Sequence, residues 1–235
     1  MSKIRGCCIS IDVKGSENIR EKELLVLEFE ELLNEINKKY KSDLLIPFEF
    51  RRGDEVIGVI LSFANGYRVY EDFNDFCNAK NLEMYVGVGL GSIDTGLHIK
   101  DLEKINGSAV VSAFRARDEF LKSKEFMKNY NWRSENKAQL FVYSNEDIPY
   151  SIINYQAFLI HEHFNQRTDI QKKAIVAKEN NPQLTVHELG VIISYKKNHA
   201  QNFFSALKNA KYEEYKEMKN MLIDLLNYVE KNYRY

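Results

Sequence analysis

Two acidic positions lie where predicted β-strands end, and carboxylates at such positions could bind a metal ion. Asp12 closes the apolar run "GCCISIDV", and Asp54 with Glu55 separates "IPFEFRR" from "VIGVILSF". The two later runs flank a glycine-containing turn and predict a β-hairpin. If that hairpin neighbours the first strand, Asp12 and Asp54 converge at one edge of the sheet. Mg²⁺ suits such a pair, because it usually takes one or two protein carboxylates together with substrate phosphates.

Turn chemistry alone offers another explanation of the Gly53–Asp54 pair. Gly–Asp sequences are common in hairpin turns and reverse the chain without any metal. Asp12 is harder to explain in this way, because it follows "CISI" and precedes the small-residue loop "VKGS". Backbone N–H groups of that loop could bind a triphosphate. We interpret Glu55 as a neighbour of the metal pair rather than a ligand.

The elements that would position these residues follow the order βαββαβ. Helical spacing of apolar residues predicts helices over 20–40 and 65–81, and "LEMYVGVGLGSI" predicts the strand that follows them. A helix in "NGSAVVSAFRARDEFLKS" and a short edge strand in "AQLFVYS" complete this part. The order predicts an α+β fold with a ferredoxin-like domain, an antiparallel sheet with helices on one face.

The pattern of the chain changes near residue 145, where helices replace most strands. We therefore predict a palm domain at 1–145 and a helical domain at 146–235 that ends in a long helix. This second domain is expected to be all-helical or a winged helix-turn-helix. The segment "TVHELGVIISYKKNHAQNFFSALKNA" has helix-turn-helix length and pattern, and it opens with a capping box of Thr185 and Glu188.

The helical domain is also expected to form its own apolar contacts. The predicted packing of the two motif helices sets Leu189, Ile192 and Ile193 against Phe203, Phe204 and Leu207. In the last helix, a stripe of Met218, Leu222, Leu225 and Val229 could close the core or pair with a second chain.

Basic residues are concentrated in this second domain. Between residues 165 and 211, eight Lys/Arg stand against three acids, a local charge of +5 in a chain of net charge −1. Such a concentration favours binding to nucleic-acid phosphates. Asn and Gln can read adenine edges, and Lys can meet phosphate or guanine. The residues expected to contact double-stranded DNA are Lys196, Lys197, His199, Gln201, Asn202, Ser205 and Lys208. The alternative is an ordinary helical bundle with a solvated basic face.

Composition argues against a disulfide-rich or membrane protein. Cys7, Cys8 and Cys77 form no disulfide framework, and no apolar run approaches the ~18 residues of a membrane span. We expect buried, reduced thiols and a cytoplasmic protein without a membrane partner.

Four segments, in order, resemble the core motifs of class III nucleotidyl cyclases over about residues 5 to 120: "ISIDVKGS", "RRGDEVIGVILSF", "MYVGVGLGSIDTG" and "INGSAVVSAFRARD". Nearly the whole chain resembles the SatD family, through the Asp–x–x–x–Ser start, the "LLNEINKKY" helix, the Gly–Asp–Glu hairpin and a C-terminal helix-turn-helix. The resemblance implies ATP or GTP as a partner, Mg²⁺ or Mn²⁺ as the cofactor and a homodimer. It also implies residue roles: metal ligands Asp12 and Asp54, a phosphate loop of Val13, Lys14, Gly15 and Ser16, and a transition-state arginine, Arg115.

The chain departs from the cyclase pattern at three places. Val111 stands where an asparagine is expected, one glycine rather than two precedes Asp54, and Phe50 with Glu49 lies near the base-reading position. One interpretation is a metal-dependent nucleotide-binding palm, a cyclase or nucleotidyltransferase if active, joined to a DNA-binding module.

Three alternatives stay open beside that interpretation. One is a non-enzymatic transcription regulator whose palm serves dimerisation or ligand sensing. Another is a purely structural interaction protein. At the level of single residues, Arg115 and Arg117 could equally be surface arginines in ion pairs.

Overall fold

A computed structural model describes residues 4–15, 22–51, 55–94, 105–123, 138–193 and 197–232. The chain divides into two compact units, the first formed by Met1–Tyr155 with Ile223–Tyr235 and the second by Gln156–Leu222. The boundary that the sequence suggests near residue 145 lies before Gln156, where the second unit begins. The sequence-based division also keeps the last residues in the second domain, whereas here Ile223–Tyr235 belong to the first unit.

The first unit contains the sheet, and the order of its first six elements is the predicted βαββαβ. The bounds are β1 (Ile4–Val13), α1 (Lys22–Lys39), β2 (Leu44–Arg51), β3 (Glu55–Ile60), α2 (Phe63–Lys80), β4 (Met84–Ile93), α3 (Ser108–Arg115) with a π-helical continuation (Ala116–Leu121), and β5 (Ala138–Tyr143). The later helices are α4 (Tyr150–Asn165), α5 (Asp169–Asn180), α6 (Val186–Ile192), α7 (His199–Asn209) and α8 (Tyr212–Asn232).

The five strands form one mixed sheet in the order β2-β3-β1-β4-β5. Strand β1 is antiparallel to both β3 and β4, and β5 joins the edge parallel to β4. The first four strands thus have the arrangement expected of a ferredoxin-like unit, with β5 added. Because β1 is central, Cys7, Cys8, Ile9 and Ile11 are fully buried on its two faces.

Helices cover both faces of this sheet, whereas we expected them on one. Helix α2 packs on the face of Cys7, where a side chain on Gly66 would collide with the Cys7 sulfur. Helix α3 packs on the opposite face, in a cluster with Cys8 and Ile57. The alternating glycines of β4 make room for it, because a Cβ on Gly89 would collide with the α3 backbone. The one-face arrangement therefore applies to the βαββαβ unit but not to the helix that follows it.

In the second unit, α5, α6 and α7 pack around a small apolar cluster. Its buried members are Ala174, Ala177, Leu189, Phe203 and Ala206, with Leu184, Ile193 and Leu207 partly buried against them. The predicted capping box is confirmed, since the Glu188 amide donates to Thr185 Oγ1 at 3.3 Å and the Thr185 amide to Glu188 Oε2 at 2.8 Å.

The expected packing of α6 on α7 is correct for four of the six residues. Ile192 and Phe204 are instead 52% and 62% exposed. Adjacent helical residues point about 100° apart, so Phe203 takes the core position and turns Phe204 outward. Helix α6 is short, and Leu189 with Ile193 already fills its buried face.

The predicted apolar stripe of the last helix is only partly buried, whereas the cysteines are all buried as predicted. In α8 the buried stripe is Tyr215, Leu222, Leu226 and Val229, while Met218 and Leu225 are only partly buried. The three cysteines are buried and unpaired as expected, and burial raises the pKa of Cys8 to about 12. In the part of the chain that the structure describes, we find no helix of the length and apolar character that crossing a membrane requires.

Candidate functional site

Strand pairing brings Asp12 and Glu55 side by side at one end of the sheet. Asp12, the penultimate residue of β1, lies directly opposite Glu55, the first residue of β3. Side chains alternate along a strand, so both point to the face that carries α3. Glu55 is buried, whereas the Asp12 side chain is 22% exposed. Asp54 lies outside the described residues, so its pairing with Asp12 stays a prediction.

A π-helical turn brings two cations to these carboxylates. Helix α3 changes after Arg115 into the π-helical segment, and the Lys122 amide donates to the Arg117 carbonyl, five residues back, at 3.0 Å. In an α-helix, residues five apart point about 140° away from each other. A π turn closes with one more residue than an α turn, so Arg117 and Lys122 lie on the same side of it.

Arg117 is a buried cation, 7% exposed, with its donors directed into the cluster. Its guanidinium donates to Glu55, to Ser10 Oγ at 2.6 Å, and to both Asp118 oxygens at 2.8 and 2.7 Å. Burial alone would lower the pKa of Arg117, but the hydrogen bonds that it donates to Asp118 and Glu55 raise it above the usual range. Arg117 is therefore a fixed positive charge that neutralises Glu55.

Lys122 neutralises Asp12 in the same cluster. Its Nζ lies 3.0 Å from Asp12 Oδ2 and 3.4 Å from Asp118 Oδ1. Burial would raise the pKa of Asp118, but the hydrogen bond from Arg117 and the charge of Lys122 lower it. Among the described residues that these contacts join, three carboxylates stand against two cations, so one negative charge remains in excess.

The donor chemistry of this cluster fits a divalent cation at Asp12 only. Glu55 is paired with Arg117, and both Asp118 oxygens accept hydrogen bonds from Arg117. Asp12 accepts from Lys122 alone among these cations and keeps an exposed edge. Within the described residues, no three His, Cys, Asp or Glu side chains are grouped to hold a metal. Mg²⁺ needs few protein ligands when phosphate oxygens complete its shell, so Asp12 with the predicted Asp54 would suffice. Lys122 would have to leave Asp12 for this to occur.

The predicted phosphate loop starts with a sharp turn after β1. Gly15 has φ of 65°, a left-handed conformation that glycine adopts readily. Val13 still belongs to β1, and the Lys14 amide donates to the Glu83 carbonyl at 2.9 Å. That amide is therefore already engaged and does not face a phosphate. Ser16 lies outside the described residues.

Arg115 contacts residues outside the carboxylate cluster. Its guanidinium donates to Glu119 at 2.8 Å and to Asn145 at 2.9 Å, and it lies 5.0 Å from the centre of the Tyr143 ring. The side chain is partly exposed. The surface ion-pair interpretation describes Arg115 well and does not describe the buried Arg117. The catalytic role of Arg115 stays a prediction.

Most of the predicted DNA-contacting residues lie on the outside of α7 or just before it. Lys197, Gln201, Asn202, Ser205 and Lys208 are exposed, His199 is partly buried, and Lys196 lies outside the described residues. Gln201, Ser205 and Lys208 follow at positions i, i+4 and i+7, so they share one helix face.

Three residues of this unit have structural roles. The Asn202 side chain donates to the Lys197 carbonyl at 2.8 Å and so holds the start of α7. Asn198, just before α7, adopts the left-handed conformation with φ of 52°, in the place of a turn glycine. Arg167, one of the eight basic residues, is buried and donates to the Ala210 carbonyl at 2.6 Å. It is therefore unsuited to contact DNA.

Sequence reasoning missed Ser10, Arg117, Asp118 and Lys122 as parts of one cluster with Glu55. Strand alternation could have found Ser10, because it lies two residues before Asp12 and shares its face. The helical residues gave no such signal, because an α-helical pattern separates Arg117 from Lys122. Only the π turn brings them together.

Comparisons with known proteins add little to this geometry. No protein-family model matches the chain, and no curated protein matches its sequence. Nine chains of solved structures match it. One is a bacterial light-regulated adenylyl cyclase, with a TM-score of 0.38 and 15% identity, covering 51% of this chain and 71% of that chain. The description of the fold rests on the strand order of the chain itself, and the resemblance to the SatD family stays a prediction.

Proposed function

We propose that the first unit is a cyclase-like palm that binds a nucleoside triphosphate, ATP or GTP, through Mg²⁺ or Mn²⁺ at Asp12 and Asp54. The observation that carries this proposal is the direct pairing of Asp12 with Glu55 at the ends of β1 and β3. Asp54 directly precedes Glu55 in the predicted hairpin turn, so it would be a second carboxylate near the end of β1. Acids held on adjacent strands are well suited to a cation that bridges protein and phosphate.

The remaining roles are those that the cyclase resemblance implies. The left-handed turn at Gly15 would let the chain from Val13 to Ser16 pass close to the phosphates. Arg115 would stabilise charge on the transferring phosphoryl group, in its own chain or across a homodimer. Arg115 contacts Glu119 and Asn145, which lie outside the carboxylate cluster, and this favours action across a homodimer.

For the second unit we propose DNA binding by α6 and α7 as a helix-turn-helix. The support is the shared cluster of Leu189 and Phe203 and the exposed face of Gln201, Ser205 and Lys208. A helix presenting amide, hydroxyl and ammonium groups can contact base edges and phosphates.

Thermal melting with each of the four nucleoside triphosphates and Mg²⁺ or Mn²⁺ tests the palm proposal. We expect one or more nucleotides to raise the melting temperature of the wild type, because a ligand that binds only the folded chain stabilises it. Asp12→Asn should abolish the shift. Asp72→Asn is the matched control, since Asp72 also pairs with a lysine, Lys39, at 2.7 Å. No shift with any nucleotide and either metal would contradict the proposal.

A non-catalytic palm that senses nucleotide is the second candidate, and one observation favours it. Lys122 neutralises the same Asp12 that an active cyclase would use for its metal. Mass spectrometry after incubation with each nucleotide and Mn²⁺ separates the candidates. A cyclic or transferred nucleotide product that Asp12→Ala abolishes establishes an enzyme. A stabilising nucleotide recovered unchanged establishes a sensor.

A further inference from the structure

Lys122 pairs with the one carboxylate of the cluster that is placed to take a metal. We propose that Lys122 is a built-in competitor of the divalent cation at Asp12, and that a bound triphosphate relieves this competition by accepting the lysine ammonium. The inference deepens the proposed function and rests on it. It assigns Lys122 the task of coupling metal binding to nucleotide binding.

Charge explains why Lys122 and a divalent metal ion exclude each other at Asp12. With Lys122 in place, Asp12 is already neutralised by an ammonium 3.0 Å away. A divalent ion at the same oxygen would meet the repulsion of Lys122 and of the fixed Arg117. Without Lys122, the cluster gains one net negative charge, and the attraction for a cation rises.

Geometry explains why Lys122 and not Arg117 is the group that moves. Arg117 is buried and donates to Ser10, Glu55 and Asp118. Lys122 follows the last residue of the π turn, and its side chain is 36% exposed. Its ammonium also lies 3.4 Å from Asp118, so it can shift toward that carboxylate without becoming unpaired.

Phosphate chemistry explains how a nucleotide would release Asp12. Lysine binds phosphate as a flexible point charge, and a metal-bound triphosphate at Asp12 would bring phosphate oxygens near Lys122. The ammonium would then exchange a carboxylate partner for a phosphate partner, leaving Asp12 to the metal. Metal alone should bind weakly, and metal with nucleotide should bind tightly.

Titration with Mn²⁺ followed by electron paramagnetic resonance tests the inference without any turnover. We expect Lys122→Gln to bind Mn²⁺ about tenfold more tightly than the wild type in the absence of nucleotide. A non-hydrolysable triphosphate should narrow this gap to about twofold, because the wild-type lysine then contacts phosphate. Lys39→Gln is the matched control: it removes a lysine from the Asp72 pair and should leave Mn²⁺ affinity unchanged.

The possible results distinguish a failure of this inference from a failure of the proposed function. Equal Mn²⁺ affinity in the wild type and Lys122→Gln, lost in Asp12→Asn, overturns the inference and leaves the metal-dependent palm standing. If the difference in Mn²⁺ affinity between the wild type and Lys122→Gln stays the same when nucleotide is added, the triphosphate does not relieve the competition, and that part of the inference is wrong. If neither protein binds Mn²⁺ with or without nucleotide, the proposed function fails and the inference fails with it.

Discussion

The carboxylate cluster of the first unit and the outer face of α7 in the second unit arrange charge in opposite ways. In the cluster, Glu55 and Asp12 each contact a cation of the chain itself, Arg117 and Lys122. On α7, Lys208 and its polar neighbours face solvent. One region neutralises its charges internally, and the other exposes them to solvent.

The difference shows what each kind of charge can do. Buried pairs hold side chains in one geometry, and removing one partner leaves an uncompensated charge. Exposed cations contribute little to folding but attract phosphates over a Debye length. We therefore expect substitutions in the cluster to act mainly on stability, and substitutions on α7 to act mainly on binding.

The largest expected effect is that of Arg117→Met. It leaves the buried Glu55 carboxylate without its cation, so we expect the free energy of unfolding to fall by about 3 kcal/mol. Urea denaturation measures this loss. Arg115→Met is the control, because Arg115 forms a partly exposed pair with Glu119, and its loss should cost at most about 0.5 kcal/mol. Similar losses for the two arginines would break the contrast between buried and exposed charge.

The next prediction concerns the second unit, whose stability should depend on pH through His161. Burial lowers the pKa of His161 to about 4, with a smaller contribution from Lys219. Between the ordinary histidine pKa of about 6.5 and the folded value, the unfolded chain takes up a proton that the folded chain does not. Stability should therefore fall as the pH drops through this window, by about 3 kcal/mol in total.

His161→Asn should flatten that part of the stability profile, measured by urea denaturation at a series of pH values. His187→Asn is the control, because His187 is exposed and its loss should leave the slope in place. A wild-type profile that is flat from pH 6.5 to 4 would show that His161 is accessible to protons in the folded chain.

Lys197→Ala with Lys208→Ala should weaken DNA binding about tenfold at low salt, with little change in stability. Loss of two phosphate contacts should also lower the slope of log affinity against log salt by about 2. Fluorescence anisotropy with a mixed-sequence duplex measures both. Lys41→Ala with Lys231→Ala removes two exposed lysines of the first unit as a control. If the wild type binds no duplex at low salt, the exposed face of α7 is not a DNA-binding surface, and the contrast with the carboxylate cluster fails.

The smallest of these effects concerns the cap of α6. Thr185→Ala should cost about 1 kcal/mol, because it removes the acceptor of the Glu188 amide. The Thr185 hydroxyl and the Thr185 amide also donate to the Glu188 carboxylate, and these hydrogen bonds lower the pKa of Glu188. The Thr185 cap should therefore stabilise the unit at neutral pH and weaken as acid protonates Glu188. Thermal melting at neutral and acid pH checks this, and equal losses at both would contradict it.

The strand order and one end of the candidate site could be predicted from the sequence. Alternating apolar residues fixed the strands, and Asp12 at the end of the first one gave the location of the carboxylates. The side of the sheet that α3 covers could have been inferred from Gly87, Gly89 and Gly91, which leave space for a helix on one face.

The neutralising cations could not be predicted in this way. Arg117 and Lys122 share a side only because the helix changes to a π turn, and neither residue type nor spacing marks that change. The exposure of Phe204 was likewise ambiguous, because Phe203 and Phe204 are equally apolar, and packing against Leu189 decides which one is buried.

Anomalous diffraction from crystals grown with Mn²⁺ and a non-hydrolysable nucleoside triphosphate tests the central claim most directly. The account predicts a Mn²⁺ peak about 2.1 Å from an Asp12 carboxylate oxygen, with phosphate oxygens in its shell and Lys122 displaced from Asp12. Crystals of Asp12→Asn under the same conditions should lack this peak. Nucleotide bound without a Mn²⁺ peak at Asp12, or Mn²⁺ bound only elsewhere, would contradict the account.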